Sequence, residues 1–320
     1  MFQNVSDNST FENKQNQIEE NKINLLLKEV FKPLNCIIYI LTFLVSIVEI
    51  KSEILPFGLA IVASCLGSTI PIFMVLVVSG LSVLIFHGGG GFLSYFYISL
   101  IFFALVFLFK PKISTDDRNE VFKVGTRLFA ASFIYHFIKN LRGVFLVYDV
   151  FLGFIIAALT YAFYKIFVNG IVVIRDFTKK KAFTVEEVIA AAIILAIAIS
   201  VFKDVKIFAL SISNILVIFL IMWLGWKNGM LVGGTAGLAI GLSLTLASNL
   251  EILQLLVFAV SGILAGMFSK FGKIGVIIGF VLGNAILSYL NHRKYDGDYL
   301  FSRNIYCSFR AFTSSSKIKN

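Results

Sequence analysis

From Leu34 to Leu290 apolar runs alternate with short polar interruptions. Eleven runs can be delimited, at 34–50, 54–68, 70–86, 92–109, 124–138, 144–168, 188–202, 207–224, 228–247, 253–268 and 274–290. Such runs, nearly free of charge, predict membrane helices, although several fall below the roughly 20 residues that cross a bilayer unaided. Pro56 and Pro71 break the apolar stretch 54–86 into two short pieces, which predicts two thin spans or a re-entrant hairpin. Residues 1–32 are polar until Ile23, Leu26, Leu27 and Val30 recur at helical spacing, as in a lead-in to the first span or an interfacial helix. The pattern predicts a polar, cytoplasmic N-terminal segment 1–32, a polytopic membrane domain 33–290 and a polar tail 291–320. The fold class is all-α: a transmembrane helix bundle of about 10–11 membrane segments.

One run breaks the usual rules for helices. In GWKNGMLVGGTAGLAIG, glycine recurs at Gly225, Gly229, Gly233, Gly237 and Gly241, and each costs about 1 kcal/mol relative to alanine in a helix. In lipid, helices associate through close backbone approach at small residues, so the ladder predicts tight packing. On a straight helix a four-residue step turns about 400°, so the strip winds by about 160° from end to end. Two neighbouring helices are therefore expected to share it. The spacing recurs at Gly262 and Gly266, then at Gly275, Gly279 and Gly283, which marks these helices as the tightest part of the bundle. A sliding interface in a transporter is the competing reading.

Composition agrees with lipid: 58% of residues are hydrophobic, 14% are charged, and the mean hydropathy is +0.90. The net charge of +10 does not mark a nucleic-acid binder, because Lys and Arg sit in short clusters between apolar runs. They orient the chain instead. With the N-terminus cytoplasmic, alternate connections on that side hold 15 Lys and Arg, against 5 opposite. The tail after Leu290 then falls outside. Cys36 and Cys65 lie in apolar runs and Cys307 in the tail, without metal or redox spacing, and no cleavable signal is indicated. Thr184 and Glu187 have the spacing of a capping box ahead of an apolar run, so a helix is expected to start there. Lys179 to Lys181, just before it, either grip anionic lipid or only fix topology.

A transporter needs ionisable groups at membrane depth. The intramembrane polar candidates are Arg127, Asp149, Asn214 and Asn284. Arg127 falls in the first turn of its run, and Asp149 has Arg142 or Arg127 as possible ion-pair partners, or a transport role. Asn214 and Asn284 lie nearest to span centres, where interhelical hydrogen bonds of around 1 kcal/mol account for them. HGGGG at 87–91 lacks the Lys and Ser/Thr of a phosphate loop and reads as a flexible hairpin tip. YDGDY at 295–299 offers two carboxylates, but too few residues follow to complete a metal-dependent site. No catalytic, cofactor-binding or metal-ligating residue is assigned.

LPFGLAIVAS (55–64), FTVEEVIAAAIILAIAIS (183–200), GGTAGLAIGL (233–242) and FAVSGILAGMFSKFGKIGVIIGFVLGNAILS (258–288) closely resemble the membrane region of the stage II sporulation protein E family of endospore-forming bacteria. The Pro-Phe-Gly turn, the Glu-Glu helix start and the paired glycine spans carry the likeness, over roughly Leu34 to Leu290. The resemblance implies a membrane anchor, followed in the family by an oligomerising region and a metal-dependent serine phosphatase. It also implies localisation to the division septum, contact with division proteins, and dephosphorylation of an anti-anti-sigma factor. The phosphatase chemistry does not carry over, since no position here matches its metal-binding aspartates, and the chain is not expected to be an enzyme. The polar stretch after Leu290 stands where the family is expected to continue into another apolar segment, so a frameshift or premature stop near residue 291 is expected. Expected partners are the bilayer, a second copy of the chain and septal proteins, with no nucleic acid. A small-solute permease with Asp149, Asn214 and Asn284 along its path is the alternative.

Overall fold

The computed structural model describes residues 30–49, 56–68, 70–109, 118–142, 146–177, 182–207, 210–248 and 252–292. Most of the N-terminal segment, Lys179 to Lys181, and YDGDY with the rest of the tail beyond His292 lie outside the described residues.

Among the described residues nine α-helices follow one another: α1 Pro33–Ile47, α2 Pro56–Ser64, α3 Ile72–Phe109, α4 Arg118–Arg142, α5 Val147–Arg175, α6 Val185–Ser200, α7 Ile212–Ser248, α8 Ile252–Met267 and α9 Gly272–His292. Short 3-10 turns, Val201–Asp204 and Phe268–Phe271, extend α6 and α8. Among the described residues the strands form a single two-rung antiparallel pair, β1 Lys206–Ile207 with β2 Leu210–Ser211.

α3 and α7 are not straight rods. Gly88 (φ 66°, ψ −169°) interrupts α3 and Gly229 (φ 82°, ψ −169°) interrupts α7, in a backbone region essentially reserved for glycine. The chain reverses there. A methyl at Gly233 would stand 3.0 Å from the Gly225 Cα, whereas eight residues of straight helix span about 12 Å. Likewise a methyl at Gly80 would touch the Phe92 ring at 3.5 Å, across the Gly88 break. Gly272 (φ 72°, ψ −158°) joins α8 to α9 in the same way. Counting the arms of α3 and α7 separately gives eleven helical arms among the described residues, one for each apolar run.

Among the described residues five stretches are long and apolar enough to cross a membrane: Ile72–Phe109, Val147–Arg175, Val185–Asp204, Ile212–Leu246 and Leu253–Leu287. Three of them are glycine-hinged hairpins, so they supply more than one arm each. α2 is different. Its nine residues rise about 14 Å, less than half the hydrocarbon thickness. It packs against α5, α1 and α3 with every residue from Phe57 to Cys65 buried, so 54–86 is a short internal helix followed by one full arm, not two thin spans. Pro56-Phe57-Gly58 is the first turn of that helix and not a free-standing turn.

α6 sits between two hydrophobic cores. Ile193, Ile194 and Ile197 face the α1–α5 half, which is filled by large side chains such as Phe57, Phe102 and Phe167; Ala192 and Ala196 face α7 to α9. The outer surface carries Phe73, Ile85, Phe107, Leu108, Phe151 and Ile274 in the open, an apolar surface suited to lipid and not to water.

At the start of α6 the Glu187 amide donates to Thr184 Oγ1 at 3.2 Å, and the Thr184 amide donates to Glu187 Oε2 at 2.9 Å. Thr184→Ala removes one acceptor from the helix N-terminus and is expected to cost about 1 kcal/mol. A thermal unfolding midpoint in detergent unchanged from wild type would contradict this.

Candidate functional site

The glycines converge on α8. Along the second arm of α7, a methyl on Gly233 would lie 2.5 Å from the Gly262 carbonyl oxygen, one on Gly237 would meet the Phe258 carbonyl, and one on Gly241 would stand 3.0 Å from the Leu255 Cα. These contacts are with backbone. Gly225, on the first arm, comes within 3.2 Å of the Gly266 amide nitrogen by the same measure. α9 takes the other flank of α8: Gly275 abuts the Phe268 carbonyl, Gly279 the Leu264 carbonyl, and Gly283 the Ser261 Cα at 2.6 Å. α8 is thus gripped between α7 and α9, with Gly262 and Gly266 facing α7.

One expectation needs correction. Gly229 packs through its backbone, its carbonyl oxygen 2.5 Å from a methyl placed on Gly266, while nothing lies within 4 Å of a methyl on Gly229 itself and its positive φ turns the chain. The ladder is therefore not one winding strip shared by two neighbours. The reversal at Gly229 starts a new helix, and Gly233, Gly237 and Gly241 lie too close along that short arm to wind far, so α8 receives all three, with Gly233 also against Gly225 of the first arm.

The polar candidates do not assemble. Arg127 lies nine residues into α4 and not in its first turn, because the helix starts at Arg118. Asp149 occupies the first turn of α5, where the helix dipole favours a carboxylate. Among the described residues no ion pair joins it to Arg142 or Arg127. Asn214 falls in the first turn of α7, not near a span centre, because residues before Ile212 belong to the strand pair. Asn284 is buried in α9 and does not lack a partner. HGGGG is helical on both sides of the single break at Gly88. A groove of about 400 Å³ opens between the arms of α3, lined by Leu76, Leu84, Phe92, Phe96, Leu100 and similar residues, with no charged group.

Two contacts were not anticipated from sequence. His87 places Nδ1 3.1 Å from Glu49 Oε2 and Nε2 2.8 Å from the Ile47 carbonyl, tying the hinge of α3 to the end of α1. Ser46 and Ser79 share a buried hydrogen bond of 2.7 Å over Gly58, where a methyl would stand 3.0 and 3.1 Å from their hydroxyl oxygens. The segment's small residues were the available signal.

Helices hinged at single glycines, an apolar exterior and a backbone-packed triple of helices define a polytopic membrane helix bundle. The chain belongs to the family described as SpoIIE, N-terminal domain, whose pattern matches residues 2–306. It is 25% identical over 174 residues to stage II sporulation protein E of Bacillus subtilis (strain 168), a match covering 54% of this chain and 21% of that relative. The aligned part is thus about a fifth of the relative's length. No solved structure matches.

Proposed function

We propose that this chain is the membrane anchor of a sporulation phosphatase, holding a catalytic partner region at the division septum without contributing chemistry itself. The observation that carries this reading is the backbone-to-backbone packing of α7, α8 and α9, in a family whose named member is a sporulation protein. Helices in such contact have no room to slide, and among the described residues no charged side chain is buried between them; Lys273 of α9 lies over the Trp226 ring of α7 at 5.4 Å, half-buried at the rim. The Lys and Arg balance supports a cytoplasmic N-terminus. Lipid, a second copy of the chain and septal proteins are the proposed partners, with basic cytoplasmic loops as contact surfaces.

A fluorescent fusion expressed during sporulation is expected to concentrate at the septum, and uniform membrane fluorescence would contradict the anchor. Solute uptake into vesicles that disappears on Asp149→Asn would favour a permease instead. Uptake no greater than in empty vesicles is expected.

A further inference from the structure

Arg127 has an unusual setting. Its guanidinium carbon lies 5.8 Å from the centroid of Phe109, the last residue of α3, and Nη1 is buried without a hydrogen-bond partner among the described residues. No carboxylate there pairs with it. Glu120 Oε1 accepts from Lys123 Nζ at 2.7 Å, with Oε2 buried and without a hydrogen-bond partner, Asp176 holds Arg175, and Glu49 faces His87. An arginine does not escape burial by losing its proton, and an aromatic face satisfies its charge but not its N–H donors. Among the described residues Nη1 therefore keeps a donor that no protein acceptor takes up.

The surroundings indicate its chemistry. Phe109 and Phe122 stand 66% and 53% exposed on the apolar exterior, so whatever reaches Arg127 approaches along lipid. The Tyr164 hydroxyl donates to the Val121 carbonyl at 3.1 Å, which sets the neighbouring part of α5 level with the first turns of α4. There Lys165 Nζ lies 5.4 Å over the Tyr161 ring, and Tyr161 meets Phe122 edge-on. Basic and aromatic side chains gathered at one end of a helix pair are characteristic of a headgroup zone. The guanidinium fork matches phosphate oxygens.

We propose that Arg127 binds the phosphate of an anionic phospholipid at the lipid-facing junction of α3 and α4. Lys165 supplies supporting positive charge at that end, Lys123 being paired with Glu120, and the acyl chains lie against Phe109 and Phe122.

The full chain, purified in detergent and titrated with phosphatidylglycerol, is read by bound lipid in native mass spectrometry. Arg127→Gln is expected to weaken retention by roughly tenfold, whereas Lys203→Gln, on the turn after α6, leaves it unchanged. Equal retention by Arg127→Gln and wild type would overturn the proposal. Millimolar inorganic phosphate is expected not to displace the lipid; displacement would make this a free-phosphate site and overturn the lipid assignment. If Arg127→Gln fails to fold, Arg127→Lys decides: its point charge lacks the fork, so wild-type affinity would refute recognition of phosphate by the guanidinium.

Discussion

Replacing Gly237 by leucine is expected to remove most of the folded, monodisperse protein recovered in detergent. Its first side-chain carbon would run into the Phe258 carbonyl oxygen and stand 2.9 Å from that carbonyl carbon and 3.2 Å from the Ala259 Cα. All three belong to the backbone of α8, which has no rotamer to give way, so the helices must part. Overpacking a core with added methylenes costs about 1–3 kcal/mol when side chains can adjust, and more is expected here. In lipid no hydrophobic gain offsets the lost contact. Leu242→Ala, on the exposed side of the same arm, is expected to change little. Fluorescence-detected size exclusion and thermal midpoints measure both, and equal losses would count against backbone packing.

Gly229 should fail for a different reason. Space is open where its side chain would stand, but its φ of 82° with ψ near −169° strains any residue bearing a Cβ, at about 1–3 kcal/mol. Alanine and leucine are therefore expected to cost similar amounts at residue 229. At residue 237 leucine should cost clearly more than alanine, because there the penalty grows with size. Unfolding midpoints of the four variants separate strain from collision. A steep dependence on side-chain size at residue 229 would mean that the hinge is packed, not strained.

The eleven arms were legible because each is an apolar run bounded by polar residues, and burial in lipid leaves such runs no alternative to helix. The hinge at Gly229 was only half legible. Gly225, Trp226 and the polar Lys227 separate the runs 207–224 and 228–247. Gly229, however, keeps step with the ladder, and spacing alone does not tell a glycine that admits a neighbour from one that reverses the chain. Arg127 and Asn214 were misplaced because apolar runs mark the hydrophobic part of a helix and not its ends. α4 begins six residues before its run, at Arg118, whereas α7 begins five residues after the start of its run, at Ile212. The tie from His87 to Glu49 crosses between separate helices and leaves no periodic signal.

Cysteine accessibility tests the dry, rigid scaffold most directly. In a background lacking Cys36, Cys65 and Cys307, single cysteines replace Ala236, Ala259 and Ala265, all buried among α7 to α9, with Lys227→Cys at the exposed hinge as positive control. Membrane vesicles are treated with a water-soluble maleimide from both sides. Backbone-packed helices predict labelling at residue 227 and none at the three interior positions. Labelling at those positions as fast as at the hinge would reveal a wet passage through the glycine-packed helices and contradict the anchor.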